Sequence, residues 1–153
     1  MTLDTREVDE WIAEMTRQGW THHYFPDREA PIAMASTFWH AGYVDVIQLF
    51  DHADAFAYRA PMEQWSGSGA DPFKPAAVVW LYGGNPIWTI RATLGLPLPG
   101  SAQAPTMPEP PPPMCEVLPG IATKVRAVVI RPNTPSGYSA DVVRQVPRNP
   151  VER

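Results

Sequence analysis

Apolar and charged side chains near the start of the chain recur with the period of an α-helix. The apolar positions follow the i, i+3, i+4, i+7 spacing of a single helix face: Val8, Trp11, Ile12 and Met15. Asp4 and, three residues later, Glu7 have the spacing of a capping box, and both acids lie near the positive end of the helix dipole. The pattern predicts an amphipathic N-terminal helix that ends at Gly19.

Between positions 20 and 60 the chain is rich in aromatic and β-branched residues, and short polar turns interrupt it. Four runs read as strands: residues 20–25, 32–40, 43–51 and 54–60. Connections this short join antiparallel neighbours, since a parallel pair needs a crossover of about a dozen residues. The run 77–82 is almost entirely apolar, which is typical of a buried central strand.

A second helix is predicted directly after that run. Asn85 suits the N-cap and Pro86 the first helical position, while Gly95 and Pro97 end the apolar pattern that follows. Together these elements predict an α+β fold. An antiparallel sheet of four to five strands forms a meander, and the N-terminal helix and the second short helix cover one of its faces.

Prolines divide the chain. Nine of the 19 fall between Pro97 and Pro119, including four in succession at 110–113. Proline has no backbone N–H and favours polyproline II, so this stretch is expected neither to join a sheet nor to continue a helix. The predicted parts are a compact domain (1–96), a proline-rich linker (97–120) and a basic, mostly irregular tail (121–153) with one strand at 122–131. The linker is expected to act as a spacer; docking on another protein or on this domain is the alternative.

The amino-acid composition indicates how the core is filled and which cellular compartment suits the chain. All six tryptophans precede the proline run, and their area allows the first part of the chain to fill a core, with Trp11 and Trp88 expected inside it. The single cysteine excludes an intramolecular disulfide and suits a reducing compartment. The chain shows neither a secretory pattern nor an apolar run of membrane-spanning length. A cytoplasmic protein is expected, with a composition typical of bacteria or phages.

Charge is unevenly distributed along the chain. Residues 1–120 carry six basic and fourteen acidic side chains, a net charge of −8, whereas residues 121–153 carry six basic and two acidic ones, a net charge of +4. A basic tail on an acidic body can fold back on that body or meet an acidic partner. The tail's charge density is modest for a nucleic-acid arm, so another protein is the favoured partner and nucleic acid the alternative.

The sequence contains no recognisable catalytic signature and implies no cofactor. Asp51, His52 and Asp54 share one predicted turn and are candidate metal ligands, but no second ligand cluster accompanies them. Cys115 stands beside Glu116, an anion that opposes thiolate formation, so it is not expected to act as a nucleophile. These features favour a protein that is not an enzyme.

The predicted function is the binding of another macromolecule, as an adaptor, accessory protein or inhibitor. Trp65 lies in a Gly/Ser-rich loop with Met62 and Phe73, and exposed Trp and Met are frequent at binding hot spots. The tail supplies the second expected contact surface through its basic side chains: Lys124, Arg126, Arg131, Arg144 and Arg148.

The alternative is a small-molecule-binding domain or an enzyme, with a pocket between the sheet and the helices. Its expected lining combines aromatic side chains with histidine and aspartate as the polar groups: His22, Trp39, His40, Tyr43, Asp45, Tyr58 and Trp88. Convergence of these side chains on one cavity would favour this alternative.

Overall fold

The computed structural model describes residues 5–50, 54–63, 71–132 and 141–143, with Thr5 and residues 141–143 described by their backbone alone. Asp4, half of the predicted capping box, lies outside them. The helices and strands follow the chain in this order: α1 (Thr5–Gln18), β1 (Thr21–Phe25), β2 (Ala33–His40), β3 (Tyr43–Phe50), β4 (Ala55–Pro61), β5 (Trp80–Gly84), α2 (Pro86–Leu94), a 3-10 turn (Pro113–Glu116), α3 (Val117–Ala122), β6 (Ala127–Ile130) and β7 (Asp141–Val143).

The strands form one antiparallel sheet in the order β5-β4-β3-β2-β1-β6-β7. From β1 to β5 each strand pairs with the next along the chain, as the short turns predict. The chain then returns so that β6 pairs with the free side of β1, and β7 pairs with β6. The α+β class is confirmed. The predicted count of four to five strands is too low, because six strands with described side chains and the short β7 belong to the sheet.

The two longer helices cover one face of the sheet, called the helix face below. Met15 of α1 and Ile90 of α2 are buried in the same cluster as Ile47 and Ala57 of the sheet. The apolar stripe of α1 therefore faces the sheet, as its spacing predicts, and α2 packs beside it.

The start of α2 matches the sequence prediction, but its buried side does not. Asn85 is the N-cap, and its Oδ1 accepts hydrogen bonds from the backbone N–H groups of Ile87 and Trp88 at 2.8 and 3.2 Å. The buried side consists of four residues: Pro86, Thr89, Ile90 and Thr93. Trp88 is off this stripe and 57% exposed, so its predicted core position is wrong.

The segment before β5, the 3-10 turn and the short helix α3 cover the opposite face, called the loop face below. Phe73 and Val78 precede β5, while Cys115 and Leu118 follow the prolines. All four are buried in one cluster with sheet residues such as Val46. The sheet is thus covered on both faces, whereas the sequence predicted cover on one.

The proline-rich segment lies against this body. Glu109 and Val78 exchange two backbone hydrogen bonds, of 2.7 and 2.9 Å, and Cys115 beyond the prolines is 2% exposed. The spacer prediction is therefore wrong. Prolines prevent continuous strand pairing, but they do not prevent the side chains around them from packing. Whether residues 1–96 form a separate folding unit stays a prediction.

The run expected to be a central strand lies at an edge instead. β5 begins at Trp80 and pairs with β4, and its residues from Leu81 to Gly84 are exposed. The apolarity of the run comes partly from Val78, which is buried in the loop face before the strand begins. The strand predicted at 122–131 is shorter than expected, because α3 extends to Ala122.

Candidate functional site

Four residues form a buried polar cluster on the helix face, called the Arg59 cluster below: Arg59, Asp45, His40 and Pro97. Arg59 and Asp45 lie opposite each other on β4 and β3. Arg59 Nε donates to Asp45 Oδ1 at 2.6 Å, and Arg59 Nη2 donates to Oδ2 at 2.9 Å. His40 Nε2 lies 3.0 Å from the same Oδ2, while Arg59 Nη1 donates to the Pro97 carbonyl at 2.7 Å.

The Arg59 cluster has a structural role. The Arg59 and Asp45 side chains are 1% and 5% exposed, and buried charges need a partner of opposite sign with well-placed hydrogen bonds. The bonds join the consecutive strands β2, β3 and β4 to the segment after α2, where Pro97 lies 38 residues from Arg59 along the chain. The cluster therefore fixes the end of α2 to the sheet. The sequence analysis included His40 and Asp45 but missed Arg59, the residue that connects them to Pro97.

His22 occupies a second buried polar position on the helix face. Its Nε2 lies 2.9 Å from Thr16 Oγ1, and its Nδ1 lies 2.7 Å from Ser36 Oγ. Thr16 donates its hydroxyl proton to the Ile12 carbonyl, so it must accept from His22 Nε2–H, and Ser36 then donates to Nδ1. Burial lowers the pKa of His22 to about 3, which keeps the ring neutral. Ser36 is also buried, so this Ser–His pair cannot meet a substrate.

His23 points to the loop face, as strand alternation requires. Its ring meets Phe73 edge-on with centroids 5.2 Å apart, and Nδ1 lies 3.3 Å from the Ala35 carbonyl. Burial lowers the pKa of His23 to about 4. His22 and His23 are thus separated by the sheet and cannot act on one ligand.

The residues of the predicted pocket do not converge on one cavity. Strand register places His22, His40, Tyr43 and Asp45 on the helix face, whereas Trp39 and Tyr58 belong to the loop face. Tyr58 donates its hydroxyl to the Pro72 carbonyl at 2.5 Å, and burial raises its pKa well above the usual value. Trp88 lies on the outer side of α2. On the helix face, His22 contacts Thr16 of α1, and His40 and Asp45 belong to the cluster that Arg59 connects to Pro97.

The candidate metal ligands and the cysteine offer little chemistry. Asp51 and His52 lie outside the described residues, and Asp54 is exposed. Within residues 5–50, 54–63 and 71–132, no three His, Cys, Asp or Glu side chains are grouped so as to hold a metal ion. Cys115 is buried, which raises the pKa of its thiol to about 11, with Glu116 as the smaller cause. A thiol with that pKa stays protonated at neutral pH.

The predicted contact residues are divided between exposed, buried and undescribed positions. Phe73 is buried in the loop face and Met62 packs against the same cluster, so neither belongs to an open aromatic loop. Lys124 and Arg126 are exposed just before β6, and Arg131 is half-buried just after it. Three further residues lie outside the described part of the chain: Trp65, Arg144 and Arg148.

Trp88 and Arg91 form an exposed pair on α2, called the α2 surface below. The guanidinium carbon of Arg91 lies 4.8 Å from the centroid of the Trp88 ring, and the indole is 57% exposed. Among the described residues, no carboxylate is in ion-pair contact with Arg91. The sequence analysis missed Arg91. Trp88 and Arg91 lie three positions apart, on the same side of the helix. This spacing is visible in the sequence, but the prediction that Trp88 is a core residue concealed the pair.

The β5 edge, Trp80–Gly84, is the other exposed apolar feature. Leu81 and Tyr82 are 42% and 37% exposed, and the rings of Trp80 and Tyr82 stack at 6.1 Å with an interplanar angle of 19°. Because α2 starts two residues after β5 ends, the β5 edge and the α2 surface are neighbours along the chain.

Comparison with known proteins adds no further constraint. The chain matches no protein-family model, and no curated protein sequence or solved structure is detectably similar to it. In the part of the chain that the structure describes, none of the helices has the length and hydropathy needed to cross a membrane.

Proposed function

We propose that this chain acts by binding another protein, and that the α2 surface is the centre of the contact. The observation that carries this proposal is the exposed Trp88 ring with the Arg91 guanidinium beside it. Tryptophan and arginine are the residue types most enriched at binding hot spots. Neither Trp88 nor Arg91 belongs to the buried side of α2, which consists of other residues.

The chemistry of the pair indicates the kind of partner. The indole offers a flat apolar surface, and Arg91 adds a cation whose five N–H donors suit a carboxylate. A partner segment that carries an acidic side chain next to an apolar one would satisfy both groups. Binding would remove the apolar ring from water and give the guanidinium an anion at a desolvated site.

Basic side chains near β6 support a second contact with the same charge preference. Lys124 and Arg126 are exposed and belong to the segment that the sequence analysis assigned to partner binding. They lie beside β6, which β1, β2 and β3 separate from β4 and β5. The proposed partner contact is therefore the α2 surface, with the basic segment as an auxiliary site. The single cysteine supports a reducing compartment such as the cytoplasm for this binding.

Point variants of the full chain test the proposal better than truncation. Removing residues after Leu96 would take away β6 and the Pro97 carbonyl that Arg59 needs. The experiment is affinity capture from the native host with the immobilised full chain, Trp88→Ala, Arg91→Glu and the control Met107→Ala. Met107 is 72% exposed and lies outside α2, so its loss should not affect capture.

The expected result is a protein retained by the full chain and by the control but lost with both α2 variants. The same protein, once purified, should bind the full chain at least about thirtyfold more tightly than Trp88→Ala, since hot-spot truncation costs about 2 kcal/mol or more. Equal retention by all four proteins would refute the α2 surface as the contact. Retention of no protein above bare resin would refute binding to a host protein.

A further inference from the structure

The outer side of β5 is an unpaired sheet edge over most of its length. β5 pairs with β4 on one side and is the last strand of the sheet. Outside it, the pairing of Val78 with Glu109 is a single bridge that lies before β5 begins. In the described part of the chain, no segment pairs with the outer side of residues 80–84.

This edge lacks the features that normally prevent strands from pairing between molecules. Natural edge strands carry lysine, proline or inward-pointing charges, or they are very short or covered. β5 has the sequence Trp-Leu-Tyr-Gly-Gly, with no charge and no proline, and four of its five residues are exposed. Such an edge is a template for an additional strand.

The sequence of β5 suits pairing with a copy of itself. In an antiparallel pair with Tyr82 opposite Tyr82, Trp80 lies opposite Gly84 and Leu81 lies opposite Gly83. Each large side chain then faces a glycine, and glycine opposite an aromatic residue leaves space over which the ring can lie. No described atom lies within 4 Å of the position that a Cβ on Gly84 would occupy, so space is present there.

The backbone does not itself require both glycines. Gly84 has φ +139°, a conformation that favours glycine, whereas Gly83 has no such angle. A Cβ on Gly83 would make an ordinary contact of 3.6 Å with the Ala55 carbonyl oxygen. The backbone of the single chain therefore accounts for one of the two glycines, and a close approach of Leu81 from a second strand would account for the other.

We propose that a second copy of this chain pairs with the β5 edge, in the antiparallel register centred on Tyr82. The uncharged β5 strip suits this occupant, because two copies that each carry a net charge of −4 can meet there without placing like charges opposite each other. Directly paired residues point to the same side of a sheet, so the Trp80–Tyr82 stacks of both copies would form one row of four rings.

The size of the contact sets the expected strength. Large aromatic side chains bury roughly 150–250 Å² when fully covered, and a stable interface takes about 800 Å² from each partner. A five-residue edge with Leu81 and Tyr82 only partly exposed supplies less than that. The expected dimer is therefore concentration-dependent. It places both helix faces on the same side of a continuous sheet, so two α2 surfaces would be available to one bivalent partner.

Sedimentation velocity of the purified full chain tests the pairing and its register. The wild-type protein should shift with rising concentration from 17.0 kDa towards twice that mass. Tyr82→Lys and Tyr82→Glu should each stay monomeric, because residue 82 faces itself across the two-fold axis and like charges would be opposed. An equimolar mixture of the two variants should recover the dimer, since unlike charges then face each other. Val117→Lys, at a 42% exposed site on α3, is the control and should dimerise like the wild type.

Each contrary result overturns a defined part of the proposal. A wild-type chain that stays monomeric at all concentrations refutes the dimer, and a dimer that persists in Tyr82→Lys refutes the β5 edge as its site. If the mixture sediments with no higher average mass than either variant alone, the register centred on Tyr82 is refuted. Circular dichroism of each variant establishes that it is folded. No partner protein is present, so these outcomes are independent of the capture experiment on Trp88 and Arg91.

Discussion

On the helix face of the sheet, the buried side chains of Arg59, Asp45 and His22 all have hydrogen-bond partners, whereas on the loop face both polar atoms of the buried Gln48 amide have none. The two faces are covered differently. The longer helices α1 and α2 cover the first, whereas the segment before β5, the 3-10 turn and the short helix α3 cover the second. A buried polar group that lacks a partner carries its full desolvation cost, so removal of the Asp45 carboxylate on the helix face and of the Gln48 amide on the loop face should have opposite effects on stability.

The largest expected effect comes from breaking the Arg59 cluster. Asp45→Ala should lower the free energy of unfolding by about 3–5 kcal/mol, because Arg59 would remain buried without its carboxylate. Urea unfolding at neutral pH measures this loss. Glu14→Ala, which removes an exposed ion pair with Arg17 on α1, is the control and should change little. Equal effects of the two variants would show that burial of the cluster has no energetic consequence.

Removal of the polar group on the loop face should have the opposite sign. Gln48→Met keeps the approximate volume and removes two buried polar atoms that lack partners, so the free energy of unfolding should rise by about 1–3 kcal/mol. The measurement is the same urea titration, with Gln18→Met on the exposed side of α1 as the control. A destabilised Gln48→Met would mean that the amide contributes to stability despite its lack of partners.

The third prediction concerns pH and the helix face. The pKa of His22 is about 3 in the folded protein and 6.5 in an unfolded chain, so the unfolded state binds an extra proton between these values. Stability due to this group is complete above pH of about 6.5 and falls as the pH falls, by up to about 1.4 kcal/mol per pH unit. His22→Gln should reduce the slope of unfolding free energy against pH between 6 and 4. Identical slopes for the two proteins would contradict the buried, neutral ring.

Local signals in the sequence located most of the elements. The apolar spacing of α1 and the Asn85-Pro86 start of α2 are each determined by residues close together in the chain, and both appear where they are predicted. The short turns likewise determine that β1 to β4 pair in order.

The candidate sites depended on information that local patterns do not contain. The Arg59–Asp45 pair requires the register of β3 and β4, and the ladder closes with Phe50 N–H donating to the Asp54 carbonyl at 3.0 Å. A two-residue turn at 52–53, as the sequence suggested, would instead place Ala60 opposite Asp45. Trp88 is exposed because the buried side of α2 includes Thr89 and Thr93. A hydrophobicity pattern does not assign threonines to the buried side of a helix. β5 is an edge strand because β6, the next strand along the chain, pairs with β1 and not with β5. The local sequence of β5 does not contain that information.

The smallest expected change in the free energy of unfolding comes from the α2 surface, which is exposed, unlike the two buried faces of the sheet. Trp88→Ala should lower the free energy of unfolding by no more than about 1 kcal/mol, because an exposed cation–π pair with Arg91 contributes about 0.5–1 kcal/mol and the ring is mostly in water. Urea unfolding of this variant beside Ile90→Ala, a buried neighbour on α2 that should lose about 2–5 kcal/mol, gives the contrast. A loss from Trp88→Ala as large as that from Ile90→Ala would make Trp88 a core residue. A small loss together with failed capture would mean that the ring is retained for binding.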